Sequence, residues 1–282
     1  MQRLLFLSLL LSSLLPAVAQ RLVSQPVPLA AGQGIFLNVR FARTIRVRPG
    51  AQALVQARVS LNANQNNDLF SLTTETSGGE VRVLEKLDEE KLRQSHFDGD
   101  CDGGNFTNRS DGVNVSHTRA PKPGRRTNGS YNYCAQIDYE VTLPPGTPLH
   151  VTTISGNLDV SSLTGPVAVE TISGNLTLDH LTGPVTASSI SGNVKLTQPG
   201  NAPLKATSVS GNVEASWPAQ QSASLLLKSV SGEVYAAPAV TFSNLKPHSN
   251  VGYELQGTLG TGSGPLVKLE SVSGDVFFRT AD

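Results

Sequence analysis

Charge is the first thing this sequence has little of. Only 16% of its 282 residues are charged, and 22 Lys and Arg balance 22 Asp and Glu. A sparse, balanced surface supplies no field to draw nucleic acid or an anionic membrane. Aromatic residues make up 5%, with a single Trp, and no platform of interleaved aromatic and basic residues is visible for nucleic acid. Two cysteines and five dispersed histidines (His96, His117, His150, His180 and His248) fall short of a zinc set. Asp179 and His180 are adjacent, but they read as a solvated corner, with no partner at triad spacing. There is no phosphate loop or nucleophile motif, and no segment after residue 19 is apolar enough to span a bilayer.

The first 19 residues read as a signal peptide. Arg3 is followed by an apolar run, Leu4 to Leu15, and by Ala17-Val18-Ala19, which predicts cleavage before Gln20. Twelve residues of helix span about 18 Å, short of a bilayer core of about 30 Å. No cysteine follows the run to carry a lipid. The expected product is exported and soluble, whether periplasmic, at the cell surface or secreted.

What is abundant is Gly, Ser, Thr, Asn and Val, the composition of short strands and tight turns. From Leu149 onward one phrase returns: Thr-Ile-Ser-Gly-Asn-Leu at 153–158 and 171–176, then drifted copies at 189–194, 208–213, 229–234 and 271–276. The repeat glycines Gly156, Gly174, Gly192, Gly211, Gly232 and Gly274 are spaced by 18, 18, 19, 21 and 42 residues. A fixed period near 20 means a solenoid. The last gap is two periods of 21, and Val251-Gly252-Tyr253 falls where a degraded copy would stand. The fold class is therefore all-β: a single-stranded β-solenoid, or β-helix, with 18–21-residue coils and a long loop insertion. It divides into residues 20–148, which hold the N-terminal strands and the insertion, and 149–282, the repeat coils with a cap.

Within one coil, Val167 and Val169 share one parity while Leu176 and Leu178 share the other. The inward set switches phase across 171–174, which requires a bend or bulge there. A second turn, Leu163-Thr-Gly165-Pro166 or Leu181-Thr-Gly183-Pro184, closes the first two coils. One coil cannot bury its apolar face alone, and stacking at about 4.8 Å builds a continuous core. Stacked corners place Asn157, Asn175, Asn193 and Asn212 in an asparagine ladder, with Ser155, Ser173, Ser191, Ser210, Ser231 and Ser273 in a serine ladder beside it. The Ser-Gly-Asn phrase thus reads as structural rather than as a ligand corner. Phe277, Phe278 and Arg279 to Asp282 read as the cap that protects the last coil.

Before the repeats, period-2 alternation predicts strands over 35–41, 45–47 and 55–61, then at 69–74, 80–84 and 131–143. The outward positions of the early strands include Arg40, Arg46, Arg48 and Arg58, with Arg43 in a turn, and no acidic residue lies between Arg21 and Asn67. Such a stripe is either a solvated strand face or a seat for an anionic polymer.

Residues 86–130 form a long insertion, with a turn or two of helix over 86–94 and then Gly, Asn, Asp and Ser. Cys101 and Cys134 bracket it and in an exported chain are most simply a disulfide, with two unpaired thiols as the alternative. Asp98, Asp100 and Asp102, followed by Gly103, match the opening of a calcium loop, though Arg109 stands where an EF-hand needs its bidentate Glu. Calcium is the one cofactor the sequence offers. Sequons at Asn105, Asn108, Asn114, Asn128 and Asn175 matter only in a glycosylating host.

The export signal, the early strand pair over 35–48, the stretch Tyr139-Glu-Val-Thr-Leu-Pro-Pro-Gly-Thr-Pro-Leu149, and the train of Ser-Gly-Asn coils together resemble the bacterial putative-adhesin families of unknown function, related to autotransporter heads. The resemblance covers roughly 34–85 and 135–280 and leaves out the insertion. It implies a β-solenoid at the cell surface or in the periplasm, with an adhesive role and no catalytic residues. The leading expectation is an exported, non-catalytic binding module whose contact surface is the insertion and whose partner is a surface glycan or an envelope protein. A carbohydrate-active β-helix enzyme and a self-assembling envelope protein are the alternatives. The outward acidic residues that such an enzyme would use, Asp159, Glu170, Glu214 and Glu270, are isolated and change from coil to coil.

Overall fold

The structure, a computed structural model, describes residues 20–95, 97, 106–107, 132–197, 200–244 and 252–281. The signal segment 1–19 and the residues Asp98, Asp100, Cys101 and Asp102 lie outside these.

The chain opens with β1 (Arg21–Pro26), a long bent β2 (Gly34–Pro49) and β3 (Leu54–Leu61). A 3-10 turn leads to the hairpin β4 (Phe70–Ser77) and β5 (Glu80–Leu87), then to α1 (Glu89–Gln94). Two short strands, β6 (Phe106–Thr107) and β7 (Asn132–Tyr133), pair antiparallel, and β8 (Ala135–Leu143) follows. The alternation over 131–143 is thus two strands parted at Cys134 rather than one. The coils are β9 (Leu149–Ser161), β10 (Val167–Ser173) with β11 (Leu176–Asp179), β12 (Val185–Ser191) with β13 (Val194–Thr197), β14 (Leu204–Ser210) with β15 (Val213–Pro218), and β16 (Ala223–Ser229) with β17 (Val234–Ala236). After them come β18 (Val240–Phe242), β19 (Tyr253–Leu259) and a last coil, β20 (Leu266–Ser273) with β21 (Val276–Ala281).

All but β6 and β7 join one 19-stranded sheet. Each coil places one strand before its Ser-Gly corner and one after, so the sheet bends along the line of corners into two halves. The pre-corner half runs β4, β5, β2, β9, β10, β12, β14, β20, β16, β19, β18. The post-corner half runs β1, β3, β8, β2, β9, β11, β13, β15, β21, β17. The bent strand β2 is a coil in all but sequence position. It lies parallel to β9 from Ile35↔Leu149 to Val47↔Val160, with a bulge between Phe41 and Thr44 where later coils have their corner.

Inward side chains stack into columns that follow from the phase switch. Ile35, Leu149, Val167, Val185, Leu204, Val267 and Leu225 form one before the corner. Ile45, Leu158, Leu176, Val194, Val213, Val276 and Val234 form one after it. Both halves feed a single core. Burying each such side chain stabilises by about 1.5–3 kcal/mol relative to exposure. Carbonyls of Pro148, Pro166, Pro184, Pro203 and Pro265 accept the N–H that opens a strand in the neighbouring coil, so proline closes these five turns without leaving a donor unmet.

Two expectations are corrected at the far end. The last coil does not stack outside its predecessor. It lies between β14 and β16, with Ser208↔Ser271 on one side and Ser229↔Ser271 on the other. Phe277, Phe278 and Arg279 are therefore interior to the stack rather than its cap. Nor do the described residues Gly252 and Tyr253 form a coil corner: Gly252 leads into β19, which returns antiparallel on β16 with Ser229↔Tyr253. This antiparallel return, with β18 beyond it, closes the pre-corner half.

Candidate functional site

The Ser-Gly-Asn corner was the most prominent candidate, and its polar atoms serve the stack. Asn157 Oδ1 accepts the backbone N–H of Asn175 (3.1 Å), Asn175 Oδ1 that of Asn193 (2.9 Å), and Asn193 Oδ1 that of Asn212 (2.8 Å). The staircase continues from Asn212 to Asp275 N and from Asp275 to Glu233 N, each 2.9 Å. It runs from side chain to backbone, not from amide to amide. Ser155, Ser173, Ser191, Ser210 and Ser273 stack in register as expected, but the buried hydroxyls belong to a different column. The column that turns inward is Thr153, Thr171, Ser189, Ser208, Ser271 and Ser229, two residues earlier than expected. Ser208, Ser271 and Ser229 donate to the glycine carbonyls Gly192 O, Gly211 O and Gly274 O at 2.8–2.9 Å. Glycine is required because the corners touch: Gly156 sits at φ +109°, and a Cβ on Gly174 would collide with the Gly156 carbonyl.

The base of the insertion is the second candidate. Here the β2 corner loses its strand neighbour, because β5 pairs only up to Asn38↔Leu84 and β8 begins at Thr44↔Asp138. Side chains fill the gap. Glu85 Oε2 accepts the Tyr139 hydroxyl (2.6 Å) and the Phe41 N–H (3.4 Å). Burial pushes the Glu85 carboxyl up, an effect these donors only partly offset, and burial raises the Tyr139 hydroxyl well above its usual range. Asp138 accepts the Thr44 hydroxyl (2.7 Å) and pairs with Arg43. Burial would raise the Asp138 carboxyl, but the Arg43 and Thr44 hydrogen bonds outweigh it and hold it below the ordinary value. A buried carboxyl in a cleft is a functional signal in general. Glu85 instead satisfies backbone that the coil corner leaves open.

Asn62, at φ +47°, clamps both stems of the insertion. Its Oδ1 accepts the N–H of buried Cys134 (2.8 Å), and its Nδ2 donates to Ser95 Oγ (2.7 Å) beyond α1. The calcium carboxylates Asp98, Asp100 and Asp102, and the partner proposed for Cys134, Cys101, are outside the described residues. Among the described residues no cluster of three or more His, Cys, Asp or Glu could hold a metal ion.

Apart from Arg46, the arginines of the basic stripe on β2 and β3 are neutralised from neighbouring elements. Arg40 meets Glu89 (3.0 Å), Arg48 meets Asp159 (2.9 Å) and Arg58 meets Glu140 (3.2 Å). The acidic residues missing from the sequence segment arrive across the sheet, so an anionic polymer finds little unpaired charge there. Outward carboxylates of the coils are engaged likewise: Glu214 with Arg279, Glu270 with Lys268.

What remains is apolar and on the outside. The residue before each Ser-Gly corner is Ile154, Ile172, Ile190, Val209, Val272 and, at intermediate exposure, Val230. The first five are 43–51% exposed. They lie between register pairs such as Thr171↔Thr153 and Ser173↔Ser155, so they form one outward column along the stack. Six levels at about 4.8 Å give a stripe about 24 Å long. Beside it a groove of about 310 Å³ is lined by Ile190, Val209, Val230 and Val272 with Lys228 and Glu270. The signal was in the sequence: Ile172 has the parity opposite to Val167 and Val169, and the same β-branched choice recurs in every copy.

With this bent stack of coils in view, the chain matches the Toastrack DUF4097 family over residues 38–278. The chain belongs to that family. The Toastrack match takes in most of the β2 coil and most of the interior coil β20–β21. The chain is also similar to the solved structure of a putative cell adhesion protein from Clostridium sporogenes, at 12% identity and a TM-score of 0.49, covering 93% of this chain and 100% of that one. No curated protein matches it. Among the described residues, no helix of this Toastrack chain is long and apolar enough to cross a membrane.

Proposed function

We propose that this Toastrack chain is a non-catalytic binding module of the adhesion kind, exported to the cell envelope or beyond, which meets its partner through the outer face of the coil stack. The observation that carries the reading is the exposed column Ile154, Ile172, Ile190, Val209 and Val272. A strand needs a β-former at that position, and threonine would meet that need while staying wet. Repeated isoleucine and valine instead keep a narrow apolar stripe in water, a feature associated with contact surfaces. Such a stripe suits the apolar side chains of a partner protein lying along the stack. The apolar run over 4–15 and Ala17-Val18-Ala19 support export.

The test is a cell- and envelope-binding screen of residues 20–282 in three forms: unchanged, with Ile172→Thr and Ile190→Thr together, and lacking 88–130. The threonine pair is expected to lose most binding while its melting temperature stays nearly constant, because both positions are exposed. Full binding by the threonine pair would sink this placement, and loss only in the deletion would move the contact surface to the insertion.

A further inference from the structure

At the far end of the post-corner half, two aromatic rings stand outside on neighbouring strands. Tyr235 of β17 and Phe277 of β21 are register partners. Their rings stack with centroids 5.0 Å apart and planes 7° from parallel. The other members of this column, Asp159, Thr177, Lys195 and Glu214, are polar. The far face of Phe277 is occupied, since the Arg279 guanidinium lies 5.1 Å from its centroid and is held by Glu214 at 3.0 Å.

Tyr235 differs. Among the described strands β17 pairs with β21 alone, so the second face of the Tyr235 ring looks off the end of the sheet, and the residue is 51% exposed. Phe36 of β2, flanked by β5 and β9, makes the contrast. Phe36 has His150 at 4.5 Å and Arg82 at 5.1 Å from its ring. Edge strands are ordinarily blunted by charge, and here, among the described residues, a half-exposed ring is presented instead. It borders a shallow cleft of about 330 Å³ lined by Tyr235, Phe277, Arg279 and Thr280, with Ala237 and Pro238 at its edge. Nearby, the Tyr253 hydroxyl stands close to the Glu233 carboxylate, and burial and that carboxylate both push the hydroxyl up.

We propose that this is a carbohydrate site, which takes a pyranose unit of a neutral glycan on the outer face of Tyr235. The π-face of a tyrosine is electron-rich and flat, and it complements the weakly positive C–H face of a sugar ring. Phe277 backs the ring and fixes its orientation before any ligand arrives. The cleft is near the small end of ligand pockets and open, which suits one or two sugar units of a longer chain. Thr280 lines the cleft and supplies a donor and acceptor for sugar hydroxyls, and Tyr253 with Glu233 stands near the Tyr235 side chain. The glycan is neutral because, among the described residues, the one cation lining the cleft, Arg279, is already paired with Glu214. The site goes beyond the apolar stripe, from which it is separated by lying on the other half of the sheet, so the two can fail independently.

The test is saturation-transfer NMR and calorimetry on residues 20–282, with cellotetraose, chitotetraose and mannotetraose as neutral probes and polygalacturonate as the anionic one. At least one neutral probe is expected to bind, with transfer to its ring C–H protons. Tyr235→Ala should weaken that binding by about tenfold, and Tyr235→Trp should keep it, with melting curves unchanged for both. Three results would overturn the proposal: no neutral probe binding at millimolar concentration, equal binding by Tyr235→Ala, or binding of polygalacturonate alone. Retained cell binding by Tyr235→Ala with the sugar lost would leave the stripe reading untouched.

Discussion

At the scale of single residues, the polar side chains of this chain are mostly spent on backbone that the coil geometry leaves open. Glu85 is the clearest case. Its carboxyl is raised by burial while it accepts from Tyr139 and Phe41. A carboxyl raised on folding contributes stability that is fully present below its unfolded value, about 4.3, and is lost as pH rises through the folded value. Glu85→Gln keeps an acceptor for both donors and removes the titration. It should therefore melt higher than the parent chain at pH 7, with the difference shrinking as pH falls to 4; a constant offset across that range would refute the assignment. None of this was legible in the sequence. Glu85 and Tyr139 stand 54 residues apart in the chain, and nothing local marks either as buried together. The same holds for Asn62, whose side chain reaches both Ser95 and Cys134.

At the scale of elements, the coil was read well because its physics is local. The phase switch between Val169 and Leu176 demands a bend, and the repeated Ser-Gly-Asn supplies one that tolerates stacking. The asparagine column follows from the period alone. Its bonding did not follow, because a side chain on a strand can bond an amide above it or a backbone N–H above it, and only the corner geometry chooses. Since each rung joins an Asn side chain to an exposed backbone N–H, water can replace it. Asn175→Ala should accordingly cost about 0.5–1.5 kcal/mol in urea unfolding. A loss several times larger would mean that the rungs act as one cooperative unit. The outward isoleucine column is the opposite case: its parity is readable in Ile172, but a β-branched residue is also what any strand favours, so the sequence alone does not mark it as a contact stripe.

At the scale of the whole molecule, the order of coils is where sequence and structure part. The corner phrase is nearly the same in every copy, so Ser271 fits beside Ser208 and beside Ser229 equally well, and no local signal chooses between serial and inserted stacking. Packing does. Phe278 is buried between its register partners Ala215 and Ala236, two small residues that leave room for it. In a simple solenoid each coil touches the coils next to it in sequence, and stability is a sum along the chain. Here β20–β21 joins two coils that otherwise do not meet. Phe278→Ala should cost about 3–5 kcal/mol and should speed hydrogen exchange in both 204–218 and 223–236, while leaving 149–161 slow. Faster exchange on one side alone would argue against the inserted order.

That arrangement also has a meaning in time. A polypeptide leaving a ribosome or a translocation pore delivers residues 204–236 before residues 266–281. The slot between β14 and β16 must therefore stand open, or close wrongly on itself, until its occupant arrives. Because both walls carry the same Ser-Gly phrase, the wrong closure is a near-perfect imitation of the right one. The hazard for this molecule is then a matter of waiting more than of strength, and the segment that occupies the interval ends in β19, which pairs with the later wall, β16.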